Sequence, residues 1–203
     1  MIQLLLLLLS LQTPMDRAVL EAEDARVEDP AVIVEALESE EAPSRRRAAR
    51  AIGRRERPEL ADLLLPLLRD ESPEVRMEAI NALGQMQALV DLVPYLESEK
   101  DQAVRAVLYE TLGRLGGTSE AFLVRGLKEA DPHARMGAAK GLEAMFRMTK
   151  AEPDDETRAA LRQAVRTDNP PSLKRLALLC LNRIGDRDED TLHTAIRDLD
   201  PQV

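Results

Sequence analysis

Aromatic side chains are almost missing from this sequence. Its 203 residues include no tryptophan, and the only rings of that kind belong to Phe122, Phe146, Tyr95 and Tyr109. A core with so few large rings must be built from Leu, Ala, Val, Ile and Met, and a hydrophobic content of 44% is ample for one. Side chains of that size suit closely stacked helices. Cysteine occurs once, as Cys180, which excludes an internal disulfide. The only histidines, His133 and His193, stand 60 residues apart, which argues against a metal centre. Gly-x-Ser-x-Gly, a glycine-rich phosphate loop and a positional Cys–His pairing are all missing, and Gly116-Gly117 in "GRLGGTSEAF" reads as a helix C-cap. The expectation is a segment without catalytic residues and without a cofactor.

Positive charge is also in deficit. The formal net charge is −9, which argues against a general affinity for nucleic acid, where Lys and Arg neutralise phosphates. The deficit is uneven. Between Glu21 and Glu41 nine acids face one base, Arg26, and the next stretch inverts this with Arg45, Arg46, Arg47, Arg50, Arg54, Arg55 and Arg57 against Glu56. Two neighbouring helical faces that compensate each other explain the pattern, with a patch for an anionic partner as the alternative.

The opening "MIQLLLLLLSLQTP" is an apolar run of signal-peptide length, too short to span a bilayer. It lacks a basic n-region and an A-x-A cleavage site, so an apolar helix packed on the rest of the chain is the alternative to export. Residues 1–12 are therefore set apart as signal-peptide-like, and export to the periplasm or outside is the expectation, with the cytoplasm otherwise. Thr13 as N-cap, Pro14 at the first helical position and Asp16 in the first turn then predict a capping helix over 13–28.

From residue 29 onward the chain repeats. "DESPEVRMEAINALGQM" (Asp70 to Met86) runs acid, turn, Val-Arg, then small and large apolar residues at helical spacing. The six-residue interval from acid to base in Asp70–Arg76 recurs at Glu99–Arg105, Glu129–Arg135 and Asp168–Lys174, while Ser39 takes the acid's place before Arg45. Three residues after each base stand Ala48, Ala79, Leu108, Ala138 and Ala177, and seven after it Ile52, Leu83, Leu112, Leu142 and Leu181. Those positions share one side of an α-helix. Cys180 falls among the small residues of the same face and reads as core. Between these helices lie second apolar segments such as "PELADLLLPLLRD" and "ALVDLVPYLES", in which Pro66 and Pro94 should kink or shorten the helix. Successive bases are 31, 29, 30 and 39 residues apart, the last interval carrying an insertion, "FRMTKAEPDDET". Self-similarity at this period means a solenoid of helix pairs.

On "DESPEVRMEAINALG", "DQAVRAVLYETLG", "DPHARMGAAKGLEAM" and "SLKRLALLCLNRIG", residues 29 to 203 resemble the HEAT repeats, in particular the bacterial variety named after phycobilisome lyases. The resemblance implies an all-α fold: a right-handed α-solenoid of stacked antiparallel helix pairs, about five repeats plus an incomplete one in which the array breaks off. It places the helix after each Asp-Pro turn on the concave side. It also implies a hydrogen-bonded ladder between repeats through Asp70, Arg76, Glu99, Arg105, Glu129, Arg135, Asp168 and Lys174. Arginine is replaced by lysine at 174, which cannot make a forked contact. A narrower likeness, carried by the leucine-rich start, "EAEDAR" and "RRRAARAIGRRERPELADLLLPLLRD", is to the N-terminal arrays of exported bacterial cyclophilin-type peptidyl-prolyl isomerases.

Function follows from that architecture. A non-enzymatic scaffold that binds a protein or peptide along its concave face is the leading reading, with Met77, Asn81, Glu110, Arg114, Met136 and Lys140 as candidate contacts. The alternative is the substrate-presenting or targeting arm of a longer exported peptidyl-prolyl isomerase with its catalytic domain beyond residue 203. A basic, aromatic-lined groove for an extruded DNA base is not indicated. Nor is a membrane span. The final helix, expected over Asp190 to Leu199, should leave Leu192, Ile196 and Leu199 uncovered and so favour end-to-end self-association.

Overall fold

The computed structural model describes Pro14 and residues 17–20, 31–116, 119–149 and 152–198. The signal-peptide-like run and Leu199 lie outside the described residues. Of the expected capping helix, Pro14 and residues 17–20 are helical, with Val19 fully buried. Among the described residues the regular structure is all helical, and the fold is an α-solenoid of helix pairs. By its internal contacts the chain divides into two compact units, residues 1–90 and 91–203.

In the first unit α1 (Ala31–Leu37) packs on α2 (Ala42–Gly53), and α2 packs on α3 (Pro73–Gln85). Small side chains mark the contact: Ala48, Ala51, Ala79 and Ala82 are buried beside Ile52 and Leu83. Helix α3 starts where its sequence dictates. Ser72 accepts a hydrogen bond from the Val75 amide, and Pro73 occupies the first turn, where its missing N–H costs nothing. The segment between α2 and α3 is not the α-helix its leucines suggest. It forms two 3₁₀ stretches, Pro58–Leu64 and Pro66–Arg69, that still bury Leu64, Leu67 and Leu68 against α3. Pro66 is the cause, since an α-helix through it would lose one hydrogen bond and clash with the preceding turn.

The second unit comprises α4 (Val93–Ser98), α5 (Gln102–Leu115), α6 (Glu120–Leu127), α7 (Pro132–Met148), α8 (Asp155–Arg166), α9 (Pro171–Arg183) and α10 (Glu189–Asp198). Helices α5, α7 and α9 form one row and α6, α8 and α10 the other, each helix touching the next in its row. Pro94 stands in the first turn of the six-residue α4, where proline is tolerated, and so fixes where that helix starts. Aspartates cap the longer helices: Asp101 accepts from Ala103 and Val104, Asp131 from Ala134, and Asp154 from Thr157. The "FRMTKAEPDDET" insertion starts and ends in helix, since α7 continues to Met148 and α8 begins at Asp155.

Glycine sets the spacing between α5 and α7. A Cβ on Gly113 would lie 2.0 Å from the carbonyl oxygen of Gly141, and one on Gly137 would lie 2.2 Å from that of Ala106. Backbone therefore meets backbone along this seam, closer than any side chain permits. At the far end of the described chain, α10 buries Ala195 and leaves Leu192 and Ile196 44% and 70% exposed.

Candidate functional site

Four arginines, Arg45, Arg76, Arg105 and Arg135, each stand four residues after a helix N-cap and hold the chain just before it. In each, Nη1 donates backward: Arg45 to the Ser39 and Glu40 carbonyls (both 2.9 Å), Arg76 to Asp70 (2.7 Å), Arg105 to Leu96 in α4 (2.9 Å) and to Glu99 (3.3 Å), and Arg135 to Glu129 and Ala130 (2.8 and 2.7 Å). In Arg45 and Arg105 the rest of the guanidinium reaches the next turn. Arg45 forks onto Asp70 through Nε and Nη2 at 2.7 and 2.8 Å, and Arg105 donates through Nη2 to Glu129. Arg45 thus belongs to the ladder rather than to a surface patch, and its position in the repeat register was the sign of it. Tyr109 also joins, donating its hydroxyl to Glu129 Oε1 at 2.9 Å from a fully buried position.

The acid of a rung serves its own turn as well. Asp70 Oδ1 accepts from the Ser72 amide and Glu99 Oε1 from the Asp101 amide, both at 2.9 Å, tying the backbone ahead of the N-cap. Burial pushes the Asp70 carboxyl up, but the Arg45 fork, the Ser72 amide and the nearby charges of Arg45 and Arg76 together hold it below its ordinary range. Its hydrogen bond to Asp70 in turn raises Arg45 despite desolvation. Burial and the bond to Glu129 raise the Tyr109 phenol.

The rung between α7 and α9 departs from the expected residues. Arg135 Nε donates to Asn169 Oδ1 at 2.9 Å, whereas Asp168 is exposed. Asn169 is held in place because its Nδ2 donates to the Ala164 carbonyl (2.9 Å) and the Thr167 hydroxyl (2.6 Å). An aspartate would lack those donors. Lys174 keeps the register, four residues after the N-cap Pro170 of α9.

Among the candidate contacts, Met77, Asn81, Glu110, Arg114 and Met136 are half-buried and Lys140 is exposed. The pairs 77/81, 110/114 and 136/140 are each four residues apart, so each pair shares a helix flank. Those flanks carry ion pairs that periodicity did not announce. Lys140 Nζ lies 3.3 Å from Glu110 Oε2, Arg183 Nη2 lies 3.0 Å from Glu143 Oε1, and in the first unit Arg50 forks onto Glu78. The arginine-rich α2 is therefore not one patch. Arg45 and Arg50 tie α2 to the following turn and helix, Arg57 meets Glu59 at 2.8 Å, and Arg46 is exposed. Arg47 is half-buried while Arg54 and Arg55 follow the last turns of the helix.

For chemistry the arrangement offers little. Burial, with Glu143 adding to it, pushes the Cys180 thiol up to about 12. His133 is a surface side chain beside Asp131 and His193 is exposed. Among the described residues no group of His, Cys, Asp and Glu is placed to hold a metal ion, and no helix is long and apolar enough to cross a membrane.

Helix pairs stacked in rows and tied at their turns by arginines define a helical-repeat protein. A family profile described as HEAT repeats matches residues 30–98 and 89–182, and the chain belongs to the HEAT-repeat family. Its fold is similar to that of an archaeal HEAT-like repeats protein from Thermococcus onnurineus NA1, with a TM-score of 0.54, 20% identity, 82% of this chain covered and 75% of that one. No curated protein matches the sequence. HEAT repeats are generally protein-interaction scaffolds, and their solenoid fold is typically non-catalytic.

Proposed function

We propose that this chain is a non-enzymatic scaffold that binds a protein or peptide along the exposed flank of the helices that follow the capped turns. What supports the reading is the placement of Met77 and Met136, half-exposed on helices whose starts are tied down by the ladder. A flexible thioether on a rigid helix adapts to apolar side chains, and the ion pairs around it give a polar rim. Rigidity reduces the ordering cost of binding. A photo-crosslinking amino acid placed at Met136, and for comparison at the exposed Ala159 on the outer side of α8, tests it in native cells. Discrete adducts from position 136 and none from position 159 are the expected result; equal labelling at both would end the proposal.

A further inference from the structure

One rung of the ladder has no carboxylate, and a cavity opens beside it. Arg45 and Arg105 each reach an acid in the next turn, but Arg135 reaches only the neutral Asn169. Its Nε and Nη1 are occupied, while Nη2 makes no hydrogen bond among the described residues. Arg135 lines a cavity of about 330 Å³ between α6, α8 and the turn before α9. The apolar part of the wall comes from Leu127, Ala160 and Ala164, and the polar part includes Lys128 and Asp168. A guanidinium edge beside aliphatic carbons matches a carboxylate on a short aliphatic stem.

We propose that this cavity binds a carboxylate presented by a partner polypeptide, which supplies from outside the rung acid that the chain lacks at Asn169. The inference rests on the scaffold reading and names the chemistry of one contact. Two features select a carboxylate over a phosphate. Arg45 and Arg105 each give Nη2 to a carboxylate, and Nη2 is the nitrogen that Arg135 leaves open. The wall also carries the acids Glu129 and Asp168, so a dianion would meet more repulsion than a monoanion. Glu129 is already neutralised by Arg105 and bonded by Tyr109, and Lys128 lies 2.8 Å from Glu156, which leaves Asp168 as the opposing charge that matters.

The test follows the Arg135 Nε–H and Asn169 side-chain amide resonances by nuclear magnetic resonance while Gly-Ser peptides, blocked at both ends unless stated, are added. One peptide carries a single internal glutamate, a second has no acid but a free C-terminal carboxylate, a third carries phosphoserine and a fourth is neutral. Movement of both resonances with the first or the second peptide, and with neither of the others, is expected and identifies which source of carboxylate the cavity takes. Arg135→Lys keeps charge and a donor for the turn carbonyls but loses the planar edge, so binding should weaken about tenfold. Asp168→Asn alters an exposed residue without hydrogen bonds and should tighten binding about twofold. A response that prefers phosphoserine, ignores Arg135→Lys or is missing altogether overturns the proposal. Crosslinking from Met136 that persists in such a case leaves the scaffold standing, whereas loss of both removes both.

Discussion

Cys180 shows how burial decides chemistry at a single residue. It is fully buried in α9 with Sγ 3.9 Å from the Ala139 carbonyl, and its thiol is pushed up to about 12. At pH 8 only about one thiol in ten thousand is then ionised, and thiolate is the form that reacts. Iodoacetamide should therefore leave the native chain unmodified over hours and alkylate it in denaturant; stoichiometric labelling of the native protein would contradict this. The small-residue position of Cys180 in the repeat made its burial legible beforehand. Asn169 was not legible, because the six-residue spacing pointed to Asp168 and only the bonds to Ala164 and Thr167 reveal which neighbour turns inward. Tyr109 was missed for a related reason: a tyrosine in an aliphatic register looks like core until Glu129 is seen to receive its hydroxyl.

At the scale of the element, the seam between α5 and α7 is the most sensitive. Gly113→Ala would gain about 1 kcal/mol of helix propensity. It would also drive a methyl group to 2.0 Å from the Gly141 carbonyl oxygen, and backbone cannot rotate away as a side chain can. Overpacking of that kind costs about 1–3 kcal/mol, so the net expectation is a lower urea midpoint than the parent chain. An unchanged or higher midpoint would show that the two helices separate freely. The helices that follow capped turns could be read from sequence because N-cap, proline and apolar spacing agree there. Their partners were harder, since the stretches with Pro66 and Pro94 form 3₁₀ turns and a six-residue helix that still bury Leu64, Leu67, Leu68, Leu92 and Leu96 while Leu89 stays exposed. Hydrophobicity alone does not separate these outcomes.

Across the whole chain, carboxylates at turns give stability a pH dependence of definite sign. Asp70 is held below its ordinary range as described. Asp131 is too, where burial opposes but the Ala134 amide and His133 prevail, and Asp154 and Asp188 are lowered by their bonds to Thr157 and Thr191. A depressed carboxyl contributes its full stabilisation above the unfolded value of 3.8 and loses it as pH falls through the lower folded value. The urea midpoint should therefore be level above about pH 5 and fall steadily below about pH 4. Asp70→Asn should lower stability on the plateau by about 2 kcal/mol and flatten the decline, and a midpoint that rises on acidification would refute the assignment. The existence of a ladder was legible from acid and base spacing, but its direction, from one arginine forward to the following turn, was not. That direction bears on ancestry. A segment cut at equivalent points of two neighbouring turns contains one clasp and one acceptor, so tandem duplication or loss of whole periods leaves every guanidinium with a receiving turn. A cut of any other length would leave an arginine without its acceptor at the junction.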